Sequence, residues 1–372
     1  MSRIGFLSDV HVANFRKCGG SMVGGVNDRC RRVCESLTGI TALIESQRLD
    51  GVVVCGDLFD VDCPSPAITH AVMTVVDRWD ARCQVVLLVG NHDQHSDQAN
   101  DHALAPLHFL GTNVHIVESP ELVTVDDACI VCVPFRKGPA SEWFDDAVKH
   151  AAAFTGKRTK LLAFHLGVED SATPHFLQGA QDSLTVNTLA DICASHEISA
   201  AFAGHWHTPQ RWSSNGIEMV QCGAFCPTGW QNEGAGYGFV TIYDTELEQL
   251  AIHQVPGPRF ETLPTTPQGD SLAGGLFVRV KAADEVEMQA ALDWFAKYAP
   301  GRGDVQLVAP DDKASTAAGI VEEGAPTAMF GGAKAEALVH RYIEAMPLAE
   351  GVERPVVHGL VNRALFAKKV GT

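Results

Sequence analysis

Five short motifs in the first 210 residues contain acidic, amide and imidazole side chains that can bind metal. In chain order they are Asp9-Val-His11, Gly56-Asp57-Leu-Phe-Asp60, Gly90-Asn91-His92-Asp93, His165, and Gly204-His205-Trp-His207. Mixed carboxylate and imidazole ligands suit divalent metals such as Mn, Fe or Zn, whereas Mg and Ca favour all-oxygen shells. Two such ions about 3.5–4 Å apart can share a carboxylate, hold a bridging hydroxide and clamp a phosphate. The motifs therefore predict a two-metal phosphoesterase site.

Each motif stands where a predicted strand runs into a loop. Asp9 and His11 are two residues apart, as are His205 and His207, so each pair projects to one side of extended backbone. Alone, an Asp-x-His is more often a surface pair or a cap, and a lone histidine is usually a satisfied polar residue. All five motifs in order at strand ends favour a metal site, with Asp57 as the bridging carboxylate.

Strand-like and helical patterns alternate through these 210 residues, which predicts an α/β layered domain. We predict strands over Ile4–Leu7, Gly51–Cys55, Val85–Val89, Val114–Val117, Cys129–Val133, Lys160–Phe164 and Ala200–Ala203, and helices over Asp28–Gln47 and Ser65–Trp79. From about residue 215 to 255 the pattern becomes β, which predicts a second sheet that closes a sandwich.

The chain after residue 256 changes character twice. A Pro/Gly/Thr-rich stretch precedes a β-α-β unit, Leu276–Val280, Glu285–Tyr298 and Asp304–Val308, which we interpret as a small cap domain. Two amphipathic patterns close the chain. We place a phosphoesterase domain at 1–262, the cap at 263–310, a linker at 311–332 and a helix-loop-helix at 333–372.

The formal net charge of −17 opposes simple nucleic-acid binding. The segment after His11 is nevertheless basic, and these residues form either a solvated face or a strip that touches phosphates. They are Arg16, Lys17, Arg29, Arg31 and Arg32. No Gly-x-x-x-x-Gly-Lys-Ser/Thr motif is present, so any ATP hydrolysis has to come from a separate subunit.

The compartment is indicated by the cysteines and by the hydropathy of the sequence. The eleven cysteines are odd in number and stand mostly inside apolar runs, which predicts core thiols in a reducing cytosol. No apolar run reaches the roughly 18 residues of a membrane span, and the N-terminus lacks the layout of a signal peptide.

The five motifs resemble the signature of the calcineurin-like metallophosphoesterase superfamily. Within it, the chain is most similar to the SbcD nuclease family. The similarity rests on Gly-Asp-Leu-Phe-Asp followed by Cys-Pro-Ser-Pro, and on Gly-His-Trp-His-Thr-Pro-Gln. It is strong to about residue 245 and weak beyond. The resemblance implies a four-layer α-β-β-α sandwich with a small α+β cap domain and a C-terminal helical segment.

The resemblance also implies a role for each site residue. It assigns the first metal to Asp9, His11, Asp57 and His207, and the second to Asp57, Asn91, His165 and His205. His92 matches the catalytic histidine that contacts the scissile phosphate, with Asp60 or Asp93 as its partner. Archaeal and eukaryotic relatives have histidine at the position of Asp60, which is either catalytic or orients a ligand histidine. The other histidines, His102 and His108 among them, are interpreted as structural or solvated.

The implied function is that of a DNA nuclease subunit in recombination and repair, which cleaves phosphodiesters with a metal-bound hydroxide. The implied cofactors are two divalent ions, Mn²⁺ first, with Fe, Mg or Zn as alternatives. The implied partners are single- or double-stranded DNA ends, an SbcC-type coiled-coil ATPase and a second copy of the chain. Location is expected in a bacterial or phage-infected host cytosol. The alternatives are a stand-alone phosphoesterase for small phosphodiesters or phosphoproteins, and a non-enzymatic scaffold.

Overall fold

The computed structural model describes residues 2–153, 159–175, 177–233 and 237–308. The helices of these residues are α1 (Asp28–Gln47), α2 (Pro66–Asp80), α3 (Ala140–Ala151), α4 (Val186–Ser195) and α5 (Glu285–Tyr298), with 3-10 helices at Ala105–Phe109 and Trp230–Asn232. The strands are β1 (Arg3–Leu7), β2 (Met22–Val23), β3 (Val26–Asn27), β4 (Gly51–Val54), β5 (Gln84–Leu88), β6 (Val114–Val117), β7 (Glu121–Val125), β8 (Ala128–Val133), β9 (Lys160–His165), β10 (Gly167–Glu169), β11 (Ser183–Thr185), β12 (Ile198–Gly204), β13 (Gln210–Ser214), β14 (Ile217–Gln221), β15 (Tyr237–Asp244), β16 (Gln249–Pro256), β17 (Arg259–Leu263), β18 (Leu276–Ala282) and β19 (Gly303–Leu307).

Two six-stranded sheets form the centre of the molecule. The first has the order β16-β15-β1-β4-β5-β6, in which β1, β4, β5 and β6 are parallel. The second has the order β13-β14-β12-β9-β8-β7, in which β14, β12, β9 and β8 are parallel. Parallel neighbours end at the same edge of a sheet, so the loops after β1, β4 and β5 lie together, as do those after β9 and β12.

Three apolar clusters separate four layers. Between the sheets, the rings of Phe6 and Phe202 stack with centroids 3.6 Å apart. On the outer face of the first sheet lie α1 and α2, through residues such as Leu37 and Val72. On the outer face of the second sheet lie α3 and α4, with Phe144 fully buried. The predicted four-layer α-β-β-α sandwich is confirmed.

The local sequence determines where helix α1 begins and ends and which of its faces is buried. The Asn27 side chain accepts the N–H of Cys30 and begins the helix, as expected of an N-cap residue. Arg48, in the left-handed region with φ of 51°, ends it. The buried positions recur at three- and four-residue spacing, so the helix presents one apolar face to the sheet. These positions are Val33, Leu37, Ile40 and Ile44.

The prediction that residues 215–255 make the second sheet is wrong. Strand β14 does lie in the second sheet, but β15 and β16 pair antiparallel with β1 in the first. The second sheet is built mainly from strands that precede residue 215. An apolar alternation indicates that a strand is buried on one face, and it does not indicate which strand lies beside it.

The cap is a three-stranded parallel sheet, β17-β18-β19, covered by α5. The structure contains the predicted β-α-β elements and adds β17, so the predicted boundary between 262 and 263 falls inside a strand. Phe260 and Phe277 form an apolar cluster with Cys18 and pack against Trp230. Through this cluster the cap contacts the segment that follows β1.

Some predictions lie outside the described residues: the linker at 311–332, the helix-loop-helix at 333–372 and the last two residues of the cap. Nine of the eleven cysteines are buried, as predicted for core thiols, while Cys34 is half-buried and Cys63 is exposed. Within the described part of the chain, no helix combines the length and apolarity that a membrane crossing requires.

Truncating the ring between the sheets is expected to destabilise the fold. Phe202→Ala removes a fully buried ring stacked on Phe6, and we expect a loss of about 3–5 kcal/mol in the free energy of unfolding. Denaturant unfolding followed by circular dichroism measures it. Phe109→Ala is the control, because Phe109 is 89% exposed and its loss should cost under about 0.5 kcal/mol. Equal effects of the two changes would contradict this account of the core.

Candidate metal centre

Three predicted ligands from the two sheets form a first group. One donor atom each of Asp9, His11 and His207 lies within 4.8 Å of the others. His11 Nε2 is 3.0 Å from His207 Nε2 and 3.8 Å from Asp9 Oδ1. Two imidazole nitrogens that face each other beside a buried carboxylate form a donor set suited to one shared cation.

The remaining ligands form a second group around Asn91. Asn91 Oδ1 lies 2.9 Å from His165 Nε2 and 2.9 Å from His205 Nδ1. Asp57 Oδ2 is 3.4 Å from His165 Nε2 and 3.8 Å from His11 Nε2. Asp57 therefore lies between the two groups, where a bridging carboxylate has to be. All seven predicted ligands come together in the structure.

Four of the predicted ligands have a backbone conformation with positive φ. Asp9, His11, Asp57 and His205 have φ values of 51°, 51°, 53° and 89°. Such left-handed positions cost about 1–3 kcal/mol each in non-glycine residues and cluster at functional sites. Gly90 is required for a different reason, since a Cβ there would lie 2.1 Å from Asp57 Oδ1. The close approach of this turn to Asp57 excludes any larger residue.

Three ring nitrogens on the far side of the ligand histidines face fixed groups, two of them through hydrogen bonds and His11 Nδ1 through a carboxylate contact alone. His165 Nδ1 donates to the carbonyl of Cys55 at 2.7 Å. His11 Nδ1 lies 3.0 Å from Asp60 Oδ1, and His205 Nε2 lies 2.9 Å from Asp182 Oδ2. Partners of this kind set the ring orientation and the tautomer, which leaves the other nitrogen to bind metal.

The two predicted partners of His92 have different contacts in the structure. Asp60 Oδ1 is closer to His11 Nδ1, at 3.0 Å, than to His92 Nδ1, at 3.8 Å. This favours orientation of a ligand histidine by Asp60. Asp93 is buried, and it is not the partner of His92, because its carboxylate accepts backbone N–H groups of the surrounding turns. The donors are Leu58, Phe59 and Gly90. Burial, together with the nearby charge of Asp57, raises the pKa of Asp93 to about 6.

His92 lies at the mouth of the first group. Its ring is edge-on to that of His11, with centroids 4.8 Å apart, and its side chain is 42% exposed. The peptide N–H of His92 donates to Asp57 Oδ1 at 2.9 Å, and its Nδ1 donates to the Asp60 carbonyl at 3.1 Å. These contacts hold the ring in place and leave Nε2 to exchange a proton with a substrate.

The charges of the site favour bound cations. Burial alone would lower the pKa of His165, but the charge and hydrogen bond of Asp57 outweigh burial and raise it to about 9. The pKa of His11 is likewise raised, against burial, by its contact with Asp60 and by neighbouring carboxylates. The pKa of Asp57 is held well below its usual range, because the positive histidines outweigh burial. A field that stabilises protonated imidazoles also stabilises metal ions.

Sequence reasoning missed two residues beside the second group. Asp182 bonds to His205, and that bond holds the pKa of the Asp182 carboxyl below its usual value. Asp182 stands in a loop before β11, and no sequence pattern signals its role. The ring of Phe135 lies 6.2 Å from that of His165 and 6.0 Å from that of His205. Phe135 follows β8, so its place at a strand end was a usable signal.

A family model described as calcineurin-like phosphoesterase matches residues 2–209, more than half of the chain. The chain belongs to this family. It is a metal-dependent phosphoester hydrolase, and the residues present fit divalent metal ions, because two groups of carboxylate, amide and imidazole donors share Asp57. This phosphoesterase gave no significant match among curated protein sequences.

The solved structures similar to this chain include a phosphodiesterase, a phosphatase and a phosphopantetheinyl hydrolase, and also an anchor protein of the inner membrane complex of Plasmodium. An archaeal phosphodiesterase has 12% identity to this phosphoesterase over 68% of this chain and 99% of its own, with a TM-score of 0.37. A dimetal phosphatase from Danio rerio has 14% identity over 68% and 96%, with a TM-score of 0.42. A phosphopantetheinyl hydrolase from Mycobacterium tuberculosis has 15% identity over 63% and 93%, with a TM-score of 0.36. With identities and TM-scores this low, these similarities say nothing about the substrate of this chain.

Removing the carboxylate that orients His205 is expected to weaken metal binding at the second group. Asp182→Ala leaves His205 Nε2 without its partner at 2.9 Å, and such losses typically reduce metal affinity about 10–100-fold. Calorimetric titration of the metal-free chain with Mn²⁺ measures the effect. Asp145→Ala is the matched control, since Asp145 Oδ1 contacts His196 Nε2 at 3.1 Å away from the site. Unchanged affinity in Asp182→Ala would remove Asp182 from this role.

Proposed function

We propose that this phosphoesterase is a two-metal DNA nuclease subunit that acts in recombination and repair with an SbcC-type ATPase. The proposed ligands of the first ion are Asp9, His11, Asp57 and His207, and those of the second are Asp57, Asn91, His165 and His205. The proposed metal is Mn²⁺. The observation that supports DNA as the substrate is the position of the cap sheet. The cap contacts the segment that follows His11 through a backbone hydrogen bond and an apolar cluster.

The proposed reaction uses the residues around the metal centre as follows. When bound, the two ions would act as Lewis acids towards a phosphodiester and would lower the pKa of a water molecule. The ring of His92 lies edge-on to that of His11, and its Nε2 can protonate the leaving oxygen. Asp60 and Asp182 hold the rings of His11 and His205 in position. The strained backbone keeps the ligands in place before substrate arrives.

The cap is bound tightly to the loop that begins at the metal site. The N–H of Gly20 donates to the carbonyl of Gly301 in the cap at 2.8 Å. The Arg29 guanidinium lies 3.7 Å from the ring centroid of Phe15 and 4.8 Å from that of Phe260 in the cap. Hydrolysis of a small phosphoester needs no such addition, whereas a polymer that extends beyond the metals can contact both surfaces.

The basic residues after His11 contribute less to DNA contact than their number indicates. Arg29 is buried and its guanidinium donates to the carbonyl of Thr228. Arg31 pairs with Asp28, and Arg32 pairs with Glu35. Arg16 and Lys17 are exposed and follow His11 most closely along the chain, so they are the members of the strip proposed to meet phosphates. With a net charge of −17, DNA affinity then depends strongly on the metals and on a partner subunit.

The proposed partners are an ATPase subunit and a second copy of the chain. Residues 333–372 are the proposed docking segment for the coiled-coil base of the ATPase. Dimerisation is proposed through the segments Ser65–Trp79, which includes α2, and Asp101–Leu110. The apolar residues of α2, including Val72 and Val76, are buried in the core, so they are not available to a dimer interface. Phe109, which is 89% exposed, is available. We place this assembly in the cytosol.

Substrate choice is tested by assaying one preparation on three substrates. The purified chain with Mn²⁺ is given linear duplex DNA, single-stranded DNA and bis-p-nitrophenyl phosphate, each with and without an SbcC-type ATPase and ATP. We expect cleavage of DNA that the ATPase increases. Hydrolysis of the small ester with no cleavage of DNA, even with the ATPase present, would overturn the nuclease proposal and favour a stand-alone phosphoesterase.

A further inference from the structure

A second cluster of ligand-type side chains lies outside the metal centre, between β5 and β7. It consists of His102, His108 and Glu118, with one donor atom of each within 4.8 Å of the others. Glu118 Oε1 is 3.3 Å from His102 Nε2 and 3.2 Å from His108 Nε2. His108 lies in the 3-10 helix Ala105–Phe109, and Glu118 follows β6, so two separate segments meet here.

His102 is the unusual member of the cluster. It is only 8% exposed, and within the described part of the chain neither of its ring nitrogens has a hydrogen-bond partner of good geometry. Its Nε2 approaches the Glu118 carboxylate without pointing along a hydrogen bond. Buried polar groups are normally satisfied, so a buried imidazole in this state calls for a ligand. His108 Nε2 and Glu118 Oε1 form a hydrogen bond at 3.2 Å, so His102 is the member of the cluster whose ring nitrogens are left for a ligand.

Glu118 is held ready for such a ligand. Its Oε2 accepts the backbone N–H of Asn100 at 2.7 Å, which leaves Oε1 for the two imidazoles. Asn100 adopts a left-handed backbone with φ of 61° to make this bond. A carboxylate fixed through one oxygen presents the other in a single place, as is typical around metal sites.

We propose that His102, His108 and Glu118 form a third metal site that binds Zn²⁺. Two imidazoles and one carboxylate are a common three-ligand set for zinc, with a fourth position left to water or another small ligand. His102 and Glu118 line a cavity of about 410 Å³, which is ample for a water molecule beside the cluster. This replaces the sequence-based interpretation of these two histidines as structural or solvated.

The third site is separate from the dinuclear centre and adjoins it. Phe135 lines the same cavity, and its ring contacts the rings of His165 and His205. None of the three proposed zinc ligands belongs to the dinuclear centre, so their replacement should leave the two catalytic ions bound. The inference does not depend on DNA being the substrate.

Zinc stoichiometry of the full chain tests the proposal. The metal-free chain is dialysed against Zn²⁺ alone, and bound zinc is measured by mass spectrometry together with protein concentration. We expect about three zinc ions per wild-type chain and about two in His108→Gln and Glu118→Gln. His115→Gln is the matched control. His115 Nε2 contacts Glu121 at 3.1 Å in the same region but outside the cluster, so its replacement should retain about three ions.

Two results would overturn the third site: equal zinc content in wild type and His108→Gln, or loss of one ion in the His115→Gln control as well. Circular dichroism checks that each variant folds. If His108→Gln and Glu118→Gln fail to fold, the Asp57→Asn chain, whose dinuclear centre is disabled, decides the matter. About one zinc ion per Asp57→Asn chain supports the cluster as a site, and none overturns it.

Discussion

Replacing His92 with asparagine is expected to reduce turnover about 10²–10⁴-fold while both metal ions stay bound. His92 Nδ1 is fixed by the Asp60 carbonyl at 3.1 Å, and its exposed side chain lies at the mouth of the first group of ligands. Asparagine keeps a polar side chain of smaller size but cannot donate and recover a proton near neutral pH. The rate should therefore fall because proton transfer to the leaving oxygen is lost.

The measurement pairs kcat on a dinucleoside phosphodiester, whose sugar leaving oxygen needs a proton, with the metal content of the same preparation. His95→Asn is the control, because His95 is exposed in the same loop, contacts Asp62 at 2.7 Å and belongs to neither group of ligands. We expect wild-type turnover in His95→Asn. Retained turnover in His92→Asn would remove His92 from catalysis, and a loss of metal would make it a ligand instead.

Replacing Asp57 with asparagine is expected to empty the dinuclear centre and to reduce turnover about 10³-fold or more. Asp57 lies between the two groups, 3.4 Å from His165 Nε2 and 3.8 Å from His11 Nε2. An amide removes the negative charge that both ions share. Asparagine tolerates the left-handed φ of 53° and can still accept the N–H of His92, so the backbone should keep its shape.

Metal content and kcat of the Asp57→Asn chain are measured beside those of Asp62→Asn. Asp62 is an exposed carboxylate in the same loop as Asp57, and its Oδ2 lies 2.7 Å from His95 Nδ1. Because it is not one of the predicted metal ligands, Asp62→Asn should have the metal content and kcat of wild type. Circular dichroism reports whether Asp57→Asn is folded. A folded Asp57→Asn chain with the same metal content as wild type would show that Asp57 does not bridge the two ions.

The bounds of several elements could be predicted because their signals are local. Asp28–Gln47, Glu285–Tyr298 and Val114–Val117 have the same limits in sequence and structure. Apolar periodicity and capping residues set these limits, and both lie within the element itself. Ala140–Ala151 was missed, although it begins after a proline and buries residues at helical spacing. This helix therefore has a local signal of the same kind as the others.

Strand partners could not be predicted in the same way. The strands after residue 215 are divided between the two sheets, and β17 joins the cap. Each of these strands has an apolar pattern that is compatible with either sheet. Which strand each of them pairs with depends on which edges of β1, β12 and β18 remain unpaired after the other strands have packed.

The metal ligands are the part of the site that the sequence by itself determined. Each lies at or just beyond a strand end, and parallel strands bring such ends to one edge, so type, spacing and order were sufficient to predict that they meet. Only the tertiary structure decided that Asp60 contacts His11, that Asp93 binds backbone amides and that Asp182 holds His205. It also brought His102 and Glu118 together. These contacts join loops whose paths are set by packing, and a hydrogen bond depends on tenths of an ångström that no spacing along the chain specifies.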